Sequence, residues 1–421
     1  MATTTSHGAK LTKRYGAPQN ILPEDGSICE AMPFVRRELR PGDKYNFPIK
    51  VQNAHGVTHN VDGSAFALNG TLPATWKQAE LEGAEMLFAE NVSRALVAKM
   101  NNGGPADYGT ALDNVTSDLM TSSELYRELN IMYGAGTAST LAASIGTIAA
   151  SISGANLAAP QVVTITRATY AAGMWENLDG AKVDLWQSDG LTVRALDVSV
   201  SSPNLTNTRM TLTLAGSAAV ATAGDVILLR GGLAKQCYGV QALLENTGTL
   251  FGISATTYPV WRALSYAVSG SLSIGAILHV AARLSDTGAG GGADLFVSSK
   301  AFAQVVETQQ EYARYVEPAS EKDAGADSVS VRTAIGRVRI RSHKYMKQSL
   351  GFLITKNNGI RVGACEMSPS LPGSKEWFWQ ELNGYAGAQM QTYSNQAPLL
   401  QRPSHCAILT GITSTGDILP S

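Results

Sequence analysis

The feature that most constrains the fold is an alternation of apolar and polar residues within Gly42–Pro73. A period of two residues is typical of a strand with one buried face. The second limb of the segment repeats the pattern with Phe66 and Leu68, and turn residues separate the limbs at Asn53–Gly56 and Asp62–Gly63. The segment therefore predicts a long β-hairpin. The apolar residues that share one face of its first limb are Tyr45, Phe47, Ile49 and Val51.

This hairpin needs a surface to pack against, because an isolated two-stranded hairpin is at best marginally stable in water. Pro48 favours an edge strand over a central one. Only 16% of the residues are charged, against ~25% in ordinary soluble chains. This low charge suggests that partners cover much of the surface. We expect part of the cover for the hairpin to come from another copy of the chain.

The charge balance and the cysteines exclude several classes of protein. With 33 basic and 34 acidic residues the net charge is −1, whereas nucleic-acid-binding domains are markedly basic; contact with nucleic acid as a container wall stays open. The cysteines lie far apart without a C-x-x-C pair, which predicts reduced thiols and no zinc site. The uncharged run at 130–166 is rich in Gly, Ser and Thr, so we expect no membrane span.

Apolar spacing of three, four and seven residues predicts a helix over Tyr108–Tyr133, ended by Gly134 and Gly136. A second stripe with helical spacing consists of Leu141, Ile145, Ile148 and Ile152. Residues 77–98 predict a strand running into a helix. From Gln161 to Ile412 the pattern is rich in strands, with further helices at Leu272–Leu284 and Lys300–Tyr315.

No motif for catalysis or for a cofactor is present. A nucleophile elbow, H-E-x-x-H, a Walker loop and an EF-hand loop are all absent. His55 and His59 are four residues apart, but they fall in a hairpin tip, so we interpret them as solvated loop residues. Residues 288–293 match the letters of a dinucleotide loop, yet a helix precedes them and a strand follows, the reverse of that motif. We therefore assign no catalytic residue, metal or cofactor.

Residues 329–347 are basic and contain no acid, and Arg337, Arg339 and Arg341 fall on one face of a predicted strand. The preceding segment, 307–327, is acidic. Three interpretations stay open: a solvated surface, a charge-complementary contact between copies, or a phosphate-binding face.

Three stretches carry a resemblance to a known family. They read Gly-Val-Thr-His-Asn-Val-Asp-Gly-Ser-Ala-Phe-Ala-Leu at 56–68, Phe-Val-Ser-Ser-Lys-Ala-Phe at 296–302, and Trp-Phe-Trp-Gln-Glu-Leu-Asn-Gly-Tyr-Ala-Gly-Ala-Gln-Met-Gln-Thr-Tyr-Ser-Asn-Gln-Ala at 377–397. Together with the order of the elements, they resemble the major capsid proteins of tailed double-stranded-DNA bacteriophages, which have the Hong Kong 97-type fold.

The resemblance implies an α+β fold with the parts of such a subunit. The implied parts are an N-terminal arm at 1–41, an E-loop hairpin at 42–73, a peripheral domain with a long spine helix at 74–160 and 351–398, and a mixed axial domain at 161–350 and 399–421. An inserted β element is expected at 191–230. The expected subunit contacts are Tyr45, Phe47, Ile49, Val51, Phe66, Leu68, Arg337, Arg339 and Arg341.

The same resemblance implies a structural protein that assembles as hexamers and pentamers into an icosahedral shell around packaged DNA, without sequence-specific binding. The implied partners are further copies of the chain, a separate scaffolding protein, a portal and a decoration protein. The expected location is the virion, assembled in the host cytoplasm. Three alternatives remain: an encapsulin-type compartment of the same fold, which the chain length disfavours, a β-rich enzyme, and a tail or adhesion protein.

Overall fold

The computed structural model describes residues 25–36, 44–60, 63, 65, 67–93, 105–134, 136, 144–150, 156–189, 192–204, 211–313, 328–370, 379–381 and 387–413. Its helices are α1 (Ser27–Ala31), α2 (Pro105–Tyr133), α3 (Ala172–Asn177), α4 (Val240–Glu245), α5 (Ile274–Asp286) and α6 (Ser299–Ala313). None of the described helices has the length and apolar content needed to cross a membrane.

The strands fall into three large sheets and two small ribbons. In chain order they are β1 (Phe34–Arg36), β2 (Tyr45–Gln52), β3 (Thr75–Leu81), β4 (Ala84–Ser93), β5 (Gly146–Thr147), β6 (Gln161–Thr164), β7 (Lys182–Trp186), β8 (Val193–Asn204), β9 (Thr211–Ala215), β10 (Val226–Leu229), β11 (Thr249–Leu250), β12 (Ile253–Ser254), β13 (Leu264–Gly270), β14 (Ala293–Val297), β15 (Ser328–Thr333), β16 (Gly336–Ser342), β17 (Gly351–Thr355), β18 (Gly359–Ser368), β19 (Trp379–Glu381), β20 (Gly387–Leu400) and β21 (Ala407–Ile412).

The first sheet has the strand order β1-β18-β20-β19, and β4 also pairs with β20. Helix α2 lies against β4 and β20. Its apolar positions Leu119 and Leu129 are fully buried, as their spacing predicts. The predicted helix is therefore confirmed.

The second sheet closes into a six-stranded barrel with the order β5-β10-β7-β8-β9-β6. Its two ends meet through a bridge between Ile148 and Ile165, supported by a hydrogen bond from Thr166 N to Thr147 O at 2.7 Å. Closure of this kind leaves no free sheet edge. The barrel runs from 146 to 229, so it begins well before the inserted element expected at 191–230.

The third sheet is mixed, with the order β13-β21-β17-β14-β16-β15. One face packs on α5 and α6 around buried residues such as Leu295 and Leu353. The centre of the opposite face, with Phe296 and Phe352, joins the core that the barrel and the end of α2 share. Strand β17 belongs to this sheet, so residues 351–355 pair with the strands expected for the axial domain.

Residues 25–36 differ from the extended arm expected over 1–41. They form α1 and β1, and β1 pairs in parallel with β18, placing Phe34 opposite Arg361. Ile28 and Met32 are fully buried. Prolines at 23 and 33 flank this short helix without interrupting it, which is why the expectation of no helix was wrong here. The other residues of the expected arm lie outside the described ranges.

Two further expectations need correction. Residues 77–93 form two strands, β3 and β4, where a strand followed by a helix was expected; residues 94–98 lie outside the described ranges. The stripe from Leu141 to Ile152 was expected to be helical. Its described part, 144–150, contains the two-residue strand β5, and Ile145 and Ile148 on either side of that strand are buried in the core. Leu141 and Ile152 lie outside the described residues. In a regular strand, residues three positions apart face opposite sides. Ile145 and Ile148 both face inward because they lie outside the two residues of β5, where the backbone is no longer regular.

Candidate subunit-contact surfaces

The hairpin predicted from the alternation begins at β2 and returns at β3. Tyr45 lies opposite Leu81, and Phe47 lies opposite Ala79. These positions form a small apolar cluster with Ile253, Trp261, Val362 and Leu399 of the same chain. Glu80 N also donates to Phe251 O at 3.0 Å. The base of the hairpin is therefore anchored in its own subunit.

The second limb was expected at Phe66 and Leu68, but the returning strand is β3. The prediction chose the segment with Phe66 and Leu68 because its apolar residues alternate with alanines. The true returning strand, β3, is largely polar and exposed, so its sequence shows little alternation. Beyond β2 the outgoing and returning segments of the hairpin stay paired. His55 and Leu72 exchange both backbone hydrogen bonds, and Asn69 N donates to Thr58 Oγ1 at 2.9 Å. Strand β2 alone, from Tyr45 to Gln52, is about 25 Å long at ~3.3 Å per residue.

Large apolar side chains are exposed along the outer part of this arm. The exposed fractions are 67% for Val57, 81% for Leu68, 64% for Leu72 and 61% for Trp76. Single exposed apolar residues are ordinary on a surface, so it is the recurrence of four of them along one arm that makes this region a candidate contact surface. We call Val57, Leu68, Leu72 and Trp76 the tip patch.

The expected contact residues of the hairpin separate into two groups. Tyr45 is buried within the subunit, while Phe47, Ile49 and Val51 are half-buried. Leu68 is open to solvent, and Phe66 lies outside the described residues. Only part of the apolar stripe is thus left for another copy. Sequence analysis did not select Leu72 and Trp76. The signal available there was a large aromatic residue, Trp76, among polar residues shortly after the turn-rich segment.

The arginine face lies on β16, near the edge of the third sheet. Val338 and Ile340 are buried towards α5 and α6, so Arg337, Arg339 and Arg341 share the opposite face, as the alternation predicts. Arg337 is exposed, whereas the other two are half-buried. The acidic segment proposed as their partner falls mostly outside the described ranges.

Two neighbours give this face its electrostatic character. Arg332 on β15 lies directly opposite Arg337, and both are exposed, which places two like charges side by side. Asp294 on β14 lies in register with Arg339, and its buried Oδ1 accepts no hydrogen bond among the described residues. An acid therefore stands beside Arg339 within the subunit, which the sequence did not reveal because β14 lies more than forty positions earlier.

A buried polar cluster ties the N-terminal segment to α2. Glu128 accepts hydrogen bonds from the backbone N–H groups of Ile28 and Cys29 at 3.0 and 3.2 Å. His343 Nδ1 accepts from Tyr345 N at 3.1 Å, so Nε2 carries the proton that it donates to Glu128 Oε1 at 3.0 Å. Helical spacing identified the apolar face of α2 but gave no sign that Glu128 is buried.

The described residues hold no group of three or more His, Cys, Asp or Glu side chains that could bind a metal ion. A cleft of about 520 Å³ lies between β4, α2 and the barrel, and Glu85, Tyr126, Lys182 and Lys235 are among the residues that line it. Its described lining contains no serine, cysteine or histidine.

Comparison with solved structures identifies the fold. The subunit of the Cyanophage A-1(L) capsid matches with a TM-score of 0.56 and 10% sequence identity, over 96% of each chain. Weaker similarities are found to the capsid of a native GTA particle (TM-score 0.49, 8% identity, 98% of this chain and 100% of the other) and to the holo-SrpI encapsulin complex from Synechococcus elongatus PCC 7942 (TM-score 0.47, 9% identity, 99% and 97%). No family model and no curated protein sequence matches this chain.

The first of these similarities shows that the mixed helix-and-strand fold is that of a phage capsid subunit. The expectation of a capsid fold is therefore confirmed at this level. Because identity is only 10%, residue-level roles do not transfer from that structure.

Proposed function

We propose that this chain is a structural shell protein that assembles as hexamers and pentamers into an icosahedral capsid around packaged phage DNA. The observation that carries this proposal is the match of nearly the whole chain to a phage capsid subunit. The balanced charge of −1 fits a wall that encloses DNA without reading its sequence.

The parts of the subunit support a division of labour. We assign the first sheet with α2 to the peripheral domain, the third sheet with α5 and α6 to the axial domain, and the barrel to an insertion in the axial domain. The arm from β2 to β3 takes the role of the E-loop. Its base is fixed in its own subunit, and its exposed tip patch is the part that we propose lies on a neighbour.

A scaffolding protein, a portal and a decoration protein complete the proposed set of partners. The proposed setting is the virion, after assembly in the cytoplasm of the host. We propose no catalytic role towards a separate substrate.

The test is assembly of the purified protein, followed by electron microscopy and light scattering. We expect closed shells or capsomers from the wild-type chain. A stable monomer at micromolar concentration, under conditions that include the phage scaffolding protein, would contradict the proposal. Shells that contain an enzyme rather than DNA after isolation from infected cells would instead favour an encapsulin-type compartment.

A matched pair of variants tests the role of the arm. Replacing the residues between Gln52 and Thr75 by a short Gly/Ser turn, together with Trp76→Thr, removes the tip patch but keeps the anchored base. We expect normal melting and no shells. As a control, Gly70→Ala changes the arm but keeps the tip patch, since nothing lies within 4 Å of the added Cβ, and should leave assembly intact. Normal shells from the tip variant would show that the patch makes no contact between subunits.

A further inference from the structure

A lysine is enclosed in the core where α2, α4 and the β16–β17 connection meet. Lys347 is 1% exposed. Its Nζ donates to Gln241 Oε1 at 2.8 Å and lies 4.3 Å from the centre of the Tyr133 ring. Gln241 Nε2 in turn donates to Glu245 Oε1 at 3.0 Å. The amine of Lys347, the carboxamide of Gln241 and the carboxyl group of Glu245 therefore form a chain of two hydrogen bonds.

Close backbone packing fixes these groups in place. The end of α2 crosses the start of α4 at Gly134 and Gly239, where Gly239 N donates to Gly134 O at 2.9 Å. A Cβ on either glycine would collide with backbone atoms of the other segment. Tyr133 OH accepts a hydrogen bond from Lys347 N at 3.1 Å and donates one to Tyr345 O at 2.9 Å. Tyr133 thus positions Lys347, and the crossing at Gly134 and Gly239 positions α4, which carries Gln241.

The surroundings favour a reactive amine. Burial lowers the pKa of Lys347 to about 7, partly opposed by the charge of Glu245. Burial also raises the pKa of Glu245. Near neutral pH a substantial share of the amine is therefore unprotonated, the form that acts as a nucleophile. A buried lysine costs more free energy than an apolar side chain of the same length, so packing alone gives no reason for its presence.

We propose that Lys347 and Gln241 join in an intramolecular isopeptide bond, with Glu245 transferring the proton. Lys347 Nζ attacks Gln241 Cδ and forms a C–N bond. The bond from Cδ to Nε2 then breaks, and Nε2 leaves as ammonia. Glu245 accepts the proton that Nζ loses and delivers it to the departing Nε2, which it already contacts. No oxidant, reductant or other reactant is consumed.

The geometry requires only a small movement for this attack. The C=O bond is ~1.23 Å long, so with Nζ 2.8 Å from Oε1 the distance from Nζ to Cδ is at most about 4.0 Å. Reacting atoms begin to react at ~3–3.5 Å. Nζ therefore needs to approach Cδ by about 1 Å or less. The bond would join the β16–β17 connection to α4, across 106 positions of the chain.

The test is the mass of the denatured wild-type protein. We expect a mass lower than that of the sequence by one ammonia, and a branched tryptic peptide that joins Lys347 to Gln241. A succinimide at one of the Asn–Gly pairs loses the same mass, and the branched peptide distinguishes the two. Full sequence mass, with ordinary tryptic cleavage after Lys347, would overturn the proposal without any variant.

Variants then separate the roles. Glu245→Gln keeps the amine and the carboxamide but removes the proton carrier, so we expect the full mass. Lys347→Met should also give the full mass. Lys344→Met, at an exposed position of the same connection, should keep the loss of ammonia. A bond that forms at the wild-type rate in Glu245→Gln would remove Glu245 from the mechanism. The mass readout does not depend on shell assembly, so it stands apart from the proposed function.

Discussion

At the scale of single residues, a lysine enclosed in a core makes stability rise with pH. The pKa of Lys347 falls from 10.5 to about 7 on folding. Between these values the unfolded chain binds more protons than the folded one, so the free energy of unfolding increases as pH rises through this window. Below about pH 7 the buried amine is charged, and the free energy of unfolding is reduced by the full cost of burying that charge.

This dependence can be measured where the amine stays free. In Gln241→Leu no isopeptide bond can form, and we expect its stability to rise by several kcal/mol from about pH 7 to pH 10.5, at ~1.4 kcal/mol per unit of pKa shift. The double variant Gln241→Leu/Lys347→Met should lose this rise. Urea melts at a series of pH values compare the two. Parallel pH profiles would show that Lys347 is not enclosed.

The glycine crossing gives a second residue-scale prediction. Gly239→Ala places a methyl group against the backbone of Met132 and Gly134, so we expect a loss of at least ~1–3 kcal/mol, as for overpacked cores. Gly248→Ala is the matched control, because nothing lies within 4 Å of its added Cβ. That change should be neutral or slightly stabilising. Equal melting temperatures for the two variants would contradict the close crossing.

At the scale of the elements, a charge change on the arginine face should affect subunit stability and shell assembly in opposite directions. Arg337→Glu replaces a like-charge pair by an attractive pair with Arg332, so we expect the subunit to gain ~0.2–1 kcal/mol. If the face binds acids of a neighbouring copy, the same change weakens assembly, and high salt weakens assembly of the wild type by screening over ~8–10 Å. Melting and sedimentation are the two measurements.

Arg337→Gln is the control for the loss of charge without its reversal. It should assemble better than Arg337→Glu and less well than the wild type. Normal shells from Arg337→Glu would show a solvated face. A large loss of melting temperature in that variant would show that Arg337 pairs with an acid inside the subunit.

Sequence patterns predicted elements well where the signal was local. The first strand of the hairpin, helix α2 and the alternation at Arg337 to Arg341 follow from spacing alone. The returning limb was wrong because β3 buries only Ala79 and Leu81, too few for alternation to stand out. Barrel closure was missed because it rests on a single bridge between Ile148 and Ile165, each of which lies just beyond the end of a short strand.

The candidate contact surfaces were predicted less completely, for the same physical reason. Alternation tells which side chains share a face, but not which surface covers that face. Tyr45 was therefore expected at a subunit boundary, while the structure buries it against its own chain. Asp294 stands beside Arg339 only through a parallel pairing of β14 with β16. Such pairings join distant segments and leave no trace in local spacing.

At the scale of the whole molecule, the barrel is a continuous, self-closed piece of the chain. Its core residues Val183, Val198, Leu212 and Ile227 are fully buried. We expect residues 144–230, made as a separate fragment, to fold, because closure leaves no strand edge unpaired. Trp175, fully buried in the subunit, reports on this by its fluorescence, and circular dichroism should show one cooperative melt.

A fragment of residues 264–350 is the contrasting control. It contains α5, α6 and several strands of the third sheet but lacks β17 and β21, which lie at the centre of that sheet. We expect it to remain unfolded. A non-cooperative melt of the 144–230 fragment would show that the barrel depends on the rest of the subunit.

The pairing of β1 with β18 has a consequence for synthesis on the ribosome. Met32 accepts a hydrogen bond from Arg361, a residue 329 positions later in the chain. At ~5–20 residues per second, the nascent segment around α1 waits roughly 15–65 s for its partner to emerge. Throughout that interval Ile28 and Met32, which end in the core, are without their final cover. The segment of α1 and β1 is thus among the last parts to become native, and a chaperone that holds apolar segments has its clearest opportunity there.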